Sequence, residues 1–498
     1  MKNCPVPPSD KALPLNGESL KRASSTGPGA AGLLIPFPHQ SKGVDFILSR
    51  GGSGGIMFDI GLGKTWTALM VYEKLREKTP GLKLLVVCPL SLLIHTWIEH
   101  IKKIYPDLTI SNLRDDKYWK NSDVSLINFD NIIRKPTLEK VCALLSQGTW
   151  MCVIDESSRL RDNRSLTTKT MLGLRHKFKH RICMSGTPAT NSELEFWAQL
   201  EFIEPGALHP SFHAFRNIYF YLSDRSGHPL SAIPSREGMM QLFKRGAHYV
   251  PIKSKSPQLM ERIGRYAIFA KKEDCLKDLP EVLEEIREVE LNSAESIVYK
   301  EMKKHLVADI GREQISANNA LTKLLKLREC TSGFIINEQG KNIPINPELS
   351  SKVRALKELI LEIGNEQAII WVHFDWEADE IERLVLAMSK TVATLHGKTK
   401  DKDGSIASFR VGEAQFLVAH PLSGGVGLNL QNCHISVYFS ISYSHEQMIQ
   451  SAGRTHRSGQ TEKCLFVYLL AKKTIDFEIF DILKKKKQAV EVLESYLK

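Results

Sequence analysis

The sequence predicts an α/β fold: two parallel-sheet lobes with helical protrusions between them. Three observations predict it. Short, near-continuous apolar runs alternate with longer amphipathic segments from about residue 33 to Pro205. The same alternation resumes after about residue 350. Between them the chain is aromatic and basic, and reads as mostly helical. Near-continuous apolar runs separated by helical segments mark strands buried on both faces, the pattern of a parallel sheet covered by helices.

In the first unit, strands are expected at Ile56–Phe58, Leu82–Cys88, Val124–Asn128, Met151–Ile154 and Arg181–Met184. In the second they are expected at Ala368–Phe374, Val392–His396, Phe416–Ala419, Ile435–Phe439 and Leu465–Leu470. A chain of 498 residues is too long for one ordinary core. The expected layout is a Pro-, Ser- and Gly-rich disordered tail over residues 1–30 and a first lobe over 31–290, with a protrusion at about 206–265. A helical protrusion and linker over 291–350 and a second lobe over 351–498 follow.

Composition narrows the function classes. Lys and Arg number 67 against 56 Asp and Glu, a net charge of +11. That excess suits a polyanionic partner, because each neutralised phosphate releases counterions. It suits a basic soluble protein equally well. None of the nine cysteines forms a Cys-x-x-Cys pair, so neither a zinc site nor a redox pair is indicated. Cys88, Cys152 and Cys183 lie in apolar runs and read as reduced core thiols. No run approaches the ~18 apolar residues that cross a bilayer, so no membrane is expected among the partners.

The chemistry is carried by three stretches. Gly61-Leu62-Gly63-Lys64-Thr65 follows an apolar strand and opens a helix. Glycines let the backbone wrap phosphate oxygens, and a helix N-terminus adds partial positive charge. Lys64 is placed to reach the β- and γ-phosphates of ATP and Thr65 to ligate Mg2+. The strict eight-residue pattern has glycine where this chain has Phe58. Further on, Met151-Cys152-Val153-Ile154-Asp155-Glu156 is an apolar strand ending in two carboxylates, at the sheet end where ligands bind. Asp155 is expected to hold Mg2+ through water and Glu156 to polarise the attacking water. Near the C-terminus, Gln450 to Gln460 contains Arg454 and Arg457 at i,i+3, on one face if the stretch is helical. Two guanidinium groups facing a triphosphate form an arginine-finger arrangement. They are far in sequence from the phosphate loop, so a cleft between lobes is expected to join them.

These stretches and several others resemble the Swi/Snf-type branch of superfamily 2 helicases, particularly its short bacterial and phage members. Pro38-His39-Gln40-Ser41-Lys42-Gly43-Val44 is similar to the family's adenine-reading Q motif. Cys88 through Trp97 resembles motif Ia, and Met184 through Asn191 motif III. Lys272 through Pro280 resembles the segment preceding the second lobe. Ser423 through Leu430 resembles motif V, and the arginine stretch motif VI. The matches keep family order from about residue 33 to about residue 488. The resemblance implies RecA-like lobes, Gln40 and Gly427 as further ATP contacts, and Ser185, Thr187 and Gln450 as residues coupling hydrolysis to DNA. It implies ATP and Mg2+ as cofactors and double-stranded or branched DNA as partner, for a monomer working in the cytoplasm of a bacterium or a phage-infected host. The acidic motif departs from the pattern: Ser158 stands where many relatives have His, so its contact to motif III is expected to be shorter.

Residues 244–265 hold Lys244, Arg245, Lys253, Lys255, Arg262 and Arg265 against a single acid, Glu261. Lys253, Lys255 and Arg262 are the expected DNA contacts, with a solvated loop as the alternative. Phe212, Phe215, Tyr219, Phe220 and Tyr221 read as the small core of a protrusion. Lys484 to Lys487 is either a duplex contact or an exposed helix face. A duplex-tracking motor, a strand-separating or branch-migrating helicase and a non-hydrolysing scaffold all remain open at this point.

Overall fold

The computed structural model describes residues 35–498 except 115–118, 120, 190–191, 225–227, 231–235, 245–246, 313–316, 338, 347, 425–427 and 496–498. The expected tail and Arg245 lie outside the described residues. Residues 35–37 carry no regular secondary structure, and residues 38–498 form one compact unit.

The first lobe begins with β1 (Gly54–Phe58), β2 (Lys83–Cys88), β3 (Ile110–Asn112), β4 (Val124–Asn128), β5 (Trp150–Asp155) and β6 (His180–Met184). A hairpin of β7 (Phe220–Ser223) and β8 (His248–Pro251) stands apart, and β9 (Ala267–Ala270) then returns to the sheet. The sheet order is β3-β4-β2-β5-β6-β1-β9, parallel at every pairing. Helices cover both faces, so alternate residues of one strand feed two cores. Leu85 and Val87 join the core with Cys152 and Ile154, while Leu84 and Val86 join the one with Met151 and Val153.

The second lobe contains β10 (Val282–Val289), a small hairpin of β11 (Phe334–Ile336) and β12 (Asn342–Pro344), then β13 (Ala368–Trp371), β14 (Val392–Leu395), β15 (Phe416–Ala419), β16 (Ile435–Tyr438) and β17 (Cys464–Ala471). Its six-stranded sheet runs β10-β17-β16-β13-β15-β14, again parallel throughout. The two RecA-like lobes are therefore as the sequence predicts, and the ten expected strands are all present.

The boundary between them is not at residue 290. β10 pairs with β17 over its whole length, Val282 opposite Cys464 to Val289 opposite Ala471, so it belongs to the second sheet. Its sequence, Val-Leu-Glu-Glu-Ile-Arg-Glu-Val, lacks a continuous apolar run because it is an edge strand with mostly exposed side chains. The chain crosses from one lobe to the other through residues 271–281.

The middle stretch is also less helical than expected, since it supplies β7 to β12. Phe215, Tyr219 and Phe220 are buried there and pack ring against ring, the expected protrusion core. In the basic stretch, two of the three expected DNA contacts have partners within the fold. Lys255 Nζ donates to the Ile218 carbonyl at 2.8 Å. Arg262 donates to the Ala207 carbonyl at 3.2 Å and to the Tyr219 hydroxyl at 3.4 Å, and Arg265 is paired with Glu261 at 2.6 Å. The Lys255 and Arg262 heads thereby fasten helix Ser256–Gly264 to helix Phe212–Tyr219 and its surroundings. Of the three expected DNA contacts, Lys253 alone stays exposed. In the last helix, Lys484 lies over the Phe480 ring, 4.7 Å from its centroid.

Charge-assisted hydrogen bonds to carbonyls contribute roughly 1.5–3 kcal/mol. Lys255→Ala and Arg262→Ala are each expected to lower the unfolding free energy of the first lobe, read from urea denaturation, by about 1–2 kcal/mol after discounting for partial exposure. The slope of log DNA affinity against log salt should stay that of the wild type. A reduced slope in either variant would restore these residues as phosphate contacts.

Candidate functional site

The loop between β1 and helix Lys64–Lys78 turns on two left-handed glycines, Gly61 (φ +92°) and Gly63 (φ +75°). A side chain at either would be strained. Phe58 ends β1 as a fully buried core residue, so the tight turn is confined to residues 59–63. Lys64 Nζ donates back into the loop, to the carbonyls of Phe58 at 2.9 Å and Asp59 at 3.3 Å. Burial pulls its pKa down, opposed by the nearby Glu156, Asp155 and Asp59 carboxylates. Thr65 follows in the first turn, half-buried. Gln40 is buried, and its amide donates to the Leu62 carbonyl at 3.2 Å, so it braces the loop. A cavity of about 350 Å³ opens beside the loop, with His39, Lys42, Asp59, Phe269 and Asp274 among its lining.

β5 delivers Asp155 and Glu156 to the same end of the sheet. Asp155 is held on both oxygens: the Trp97 indole N–H donates to Oδ2 at 2.9 Å and the Glu156 amide to Oδ1 at 3.0 Å. Burial, and next the Glu156 charge, push the Asp155 carboxyl up, while Trp97 and Lys64 oppose them. Glu156 adopts φ +54°, a conformation L residues seldom take outside functional sites. Ser185, at the end of β6, donates to Glu156 Oε2 at 3.4 Å, and the Thr187 amide donates to Ser185 Oγ at 3.1 Å. The two expected coupling residues of motif III therefore chain directly to the acid. The other link between these segments runs through Ser157, not Ser158. Ser157 Oγ donates to Gln199 Oε1 at 2.7 Å, and Gln199 Nε2 donates to the Pro188 carbonyl at 2.7 Å.

The second lobe brings its arginines to this point. Helix His445–Thr455 ends between them, so Arg454 sits in the last turn and Arg457 just beyond the helix. They share a partner and not a helical face: each donates from Nη1 to the Leu428 carbonyl, at 3.1 and 3.2 Å. Arg454 is also fixed by Nε to the Gln450 carbonyl at 3.0 Å. Gly427, the other expected contact from this lobe, lies outside the described residues. Contact across the lobes is close. A Cβ on Gly61 would lie 3.1 Å from Arg457 Cβ, and one on Gly453 would lie 2.6 Å from Ile60 Cγ2. Glu446 and Arg161 also face each other across the lobes at 3.8 Å.

One cation that the sequence did not single out, Lys272, completes the arrangement. The Lys272 amide donates to Asp59 Oδ2 at 2.8 Å, and its Nζ to the His456 carbonyl at 2.9 Å. Burial drives its pKa down to about 8, with Asp59 opposing and Lys64, Arg457 and Arg454 adding to the shift. Arg457 Nε is buried without a partner among the described residues. An orphaned guanidinium N–H beside the Lys64 and Arg454 cations, over a glycine loop, fits a triphosphate, and Thr65 and Asp155 fit its Mg2+. Trp97, Lys272, Ser157 and Gln199 were not assigned roles from sequence. Trp97 reaches Asp155 from a π-helical turn, Leu93–Ile98, a rare geometry often found at functional sites.

Comparison with known proteins agrees with this architecture. Residues 39–333 match the family model of the SNF2-related domain, and residues 351–459 that of the helicase conserved C-terminal domain. Among curated proteins, the chain is similar to the SWI/SNF chromatin-remodeling complex subunit snf22 of Schizosaccharomyces pombe, 25% identical over 89% of this chain and 27% of that protein. It is equally similar to the putative protein p41 of Acyrthosiphon pisum secondary endosymbiont phage 1, 25% identical over 93% of this chain and 99% of the phage protein. The chain thus spans about a quarter of the yeast relative and nearly the whole phage one. The solved Sulfolobus solfataricus SWI2/SNF2 ATPase core in complex with dsDNA is 22% identical, covering 91% of this chain and 92% of that one, with a TM-score of 0.41.

Trp97→Phe keeps the buried aromatic bulk and removes the only indole donor to Asp155. The indole N–H favours the carboxylate form, so its loss lets Asp155 take a proton at higher pH. The acid limb of nucleotide turnover should then move up by about one pH unit, one unit being about 1.4 kcal/mol. A pH–rate profile coinciding with the wild type would show that the bond does not set the state of Asp155.

Proposed function

Because the chain belongs to the SNF2-related domain family and carries a helicase-type ATPase core, we propose that it is an ATP-driven motor that moves along duplex DNA. The observation that carries this reading is the split site. The phosphate loop and both acids belong to one lobe, and Arg454 and Arg457 reach them from the other. Such a site is complete only when the lobes are together, so hydrolysis and lobe movement are linked.

The residues take roles from their positions. Gly61, Gly63 and Lys64 hold the β- and γ-phosphates, with Gln40 bracing the loop from beneath. Thr65, and Asp155 through water, would hold Mg2+, which would supply positive charge to offset that of the phosphates. Glu156 orients the attacking water and accepts its proton. Arg454 and Arg457 stabilise the charge that grows on the transferred phosphoryl group. Ser185 and Thr187 contact Glu156 in series, and Gln450 anchors Arg454. A change at the DNA-facing segments therefore reaches both halves of the chemistry.

The track is read through its phosphates, giving weak sequence preference. The surplus of 67 basic over 56 acidic residues is consistent with a polyanionic track. With Lys255 and Arg262 bonded within the fold, that contact falls mainly to the lobes themselves.

Two measurements test the reading. ATPase rate should be low alone and rise strongly with duplex DNA. If forked or four-way DNA stimulates well beyond linear duplex, branch remodelling is the better description, and a rate unmoved by any DNA would remove the motor. Lys64→Ala and Glu156→Gln should both reduce turnover on the order of a hundredfold or more. The Gln variant should still bind ATP, because Glu156 acts on water and Lys64 on ground-state phosphate. Equal losses of nucleotide affinity would contradict those roles.

A further inference from the structure

The segment that joins the two sheets is fastened at both ends to one residue of the second lobe. β9 ends at Ala270 and β10 begins at Val282, and all later strands lie in the second lobe, so residues 271–281 are its covalent crossing. At the near end, the Lys272 amide donates to Asp59 Oδ2 at 2.8 Å, tying the crossing to the phosphate loop. Its ammonium donates to the His456 carbonyl at 2.9 Å. At the far end, His456 Nε2 meets the Pro280 carbonyl at 3.0 Å. A carbonyl only accepts, so Nε2 carries the ring proton. Burial and the Lys272 charge hold this imidazole below its usual pKa, in agreement with a neutral ring. His456 stands between Arg454 and Arg457 in sequence.

The two contacts differ in what they join. Pro280 lies two residues before β10 and travels with the second lobe. Lys272 lies two residues after β9 and is tied to Asp59, so it travels with the first. The Lys272–His456 bond therefore spans the seam that separates when the lobes part.

We propose that Lys272 is a positioning residue that latches the arginine segment of the second lobe to the phosphate loop of the first when the lobes close. The latch acts on the main chain at His456, so it sets both flanking arginines at once. It rests on the ATPase reading above and adds to it a residue that touches neither the attacking water nor the loop-bound phosphates.

The experiment compares Lys272→Met, which keeps the stem and removes the donor, with Lys272→Arg, which restores a cationic donor. On saturating duplex DNA, Lys272→Met should lose on the order of tenfold to a hundredfold in kcat, the loss of one charge-assisted bond. Its affinity for a fluorescent ATP analogue should stay within about twofold of wild type, and Lys272→Arg should recover much of the rate. Small-angle scattering with a non-hydrolysable ATP analogue should show wild type compacting and Lys272→Met remaining extended. An unchanged kcat overturns the latch, and so does nucleotide affinity that falls in step with kcat, which would make Lys272 a phosphate ligand. If Lys272→Met proves unstable, Lys272→Gln takes its place beside Lys272→Arg, and equal losses in those two overturn the proposal. A wild type that hydrolyses no ATP with any DNA counts against the motor reading. The scattering comparison still decides the latch in that case.

Discussion

Four cations from separate chain segments, Lys64, Lys272, Arg454 and Arg457, are gathered at one seam and withdrawn from water. Burial alone disfavours every one of them, and they repel one another. Asp59, Asp155 and Glu156 are the acids nearest them, and Asp155 is itself pushed toward its neutral form by burial. Such an arrangement is unfavourable until a multiply charged anion enters beside Lys64, Arg454 and Arg457 and offsets their charge. The rest of the architecture can be understood as the means of assembling it. Parallel strands deliver the phosphate loop after β1, the acids after β5 and Ser185 after β6 to one sheet end, while the second sheet presents its arginines opposite.

Within the first lobe, the acids are restrained from several directions. Trp97 holds Asp155 from the helix after β2, Ser185 reaches Glu156 from β6, and Ser157 is bound through Gln199 to Pro188. The left-handed turn at Glu156 is sustained by these contacts, since an isolated chain would relax it at a gain of about 1–3 kcal/mol. Conformational strain and buried charge thus coincide at the two residues to which the chemistry is assigned. A stability optimum would avoid both.

Much of this was legible in the sequence, for identifiable reasons. Nine of the ten expected strands are central ones, found because strands buried on both faces are continuous apolar runs; the tenth, β14, is an edge strand that keeps a short apolar run. β3, β9 and β10 escaped because edge strands need no such run, and missing β10 moved the lobe boundary to residue 290 when the crossing is at 271–281. The phosphate loop and Asp155-Glu156 were readable because their chemistry is local in sequence. Trp97, Gln199 and Lys272 were not, because each acts on a partner dozens of residues away. The partners of the basic stretch were not legible because composition is the same whether a guanidinium binds a phosphate or, as at Arg262, a carbonyl of its own fold. The arginine pair was correctly placed but its geometry was not: spacing suggested one helical face, and the helix stops at Thr455.

That last difference has a mechanical meaning. Arg454 and Arg457 are joined through the Leu428 carbonyl, and Gln450 fixes Arg454 from within the same helix. Leu428, Gln450, Arg454 and Arg457 are therefore tied into one unit of the second lobe. The described contacts across the seam are sparse by comparison: Arg457 against Gly61, Gly453 against Ile60, Glu446 facing Arg161, and Lys272 bonded to His456. Bonds are dense within each lobe and few between them, so separation costs little internal structure. The lobes can part as bodies, carrying intact halves of the site, and reassemble it on return. A motor needs that asymmetry, because a site distributed evenly through one core could not be opened without being dismantled.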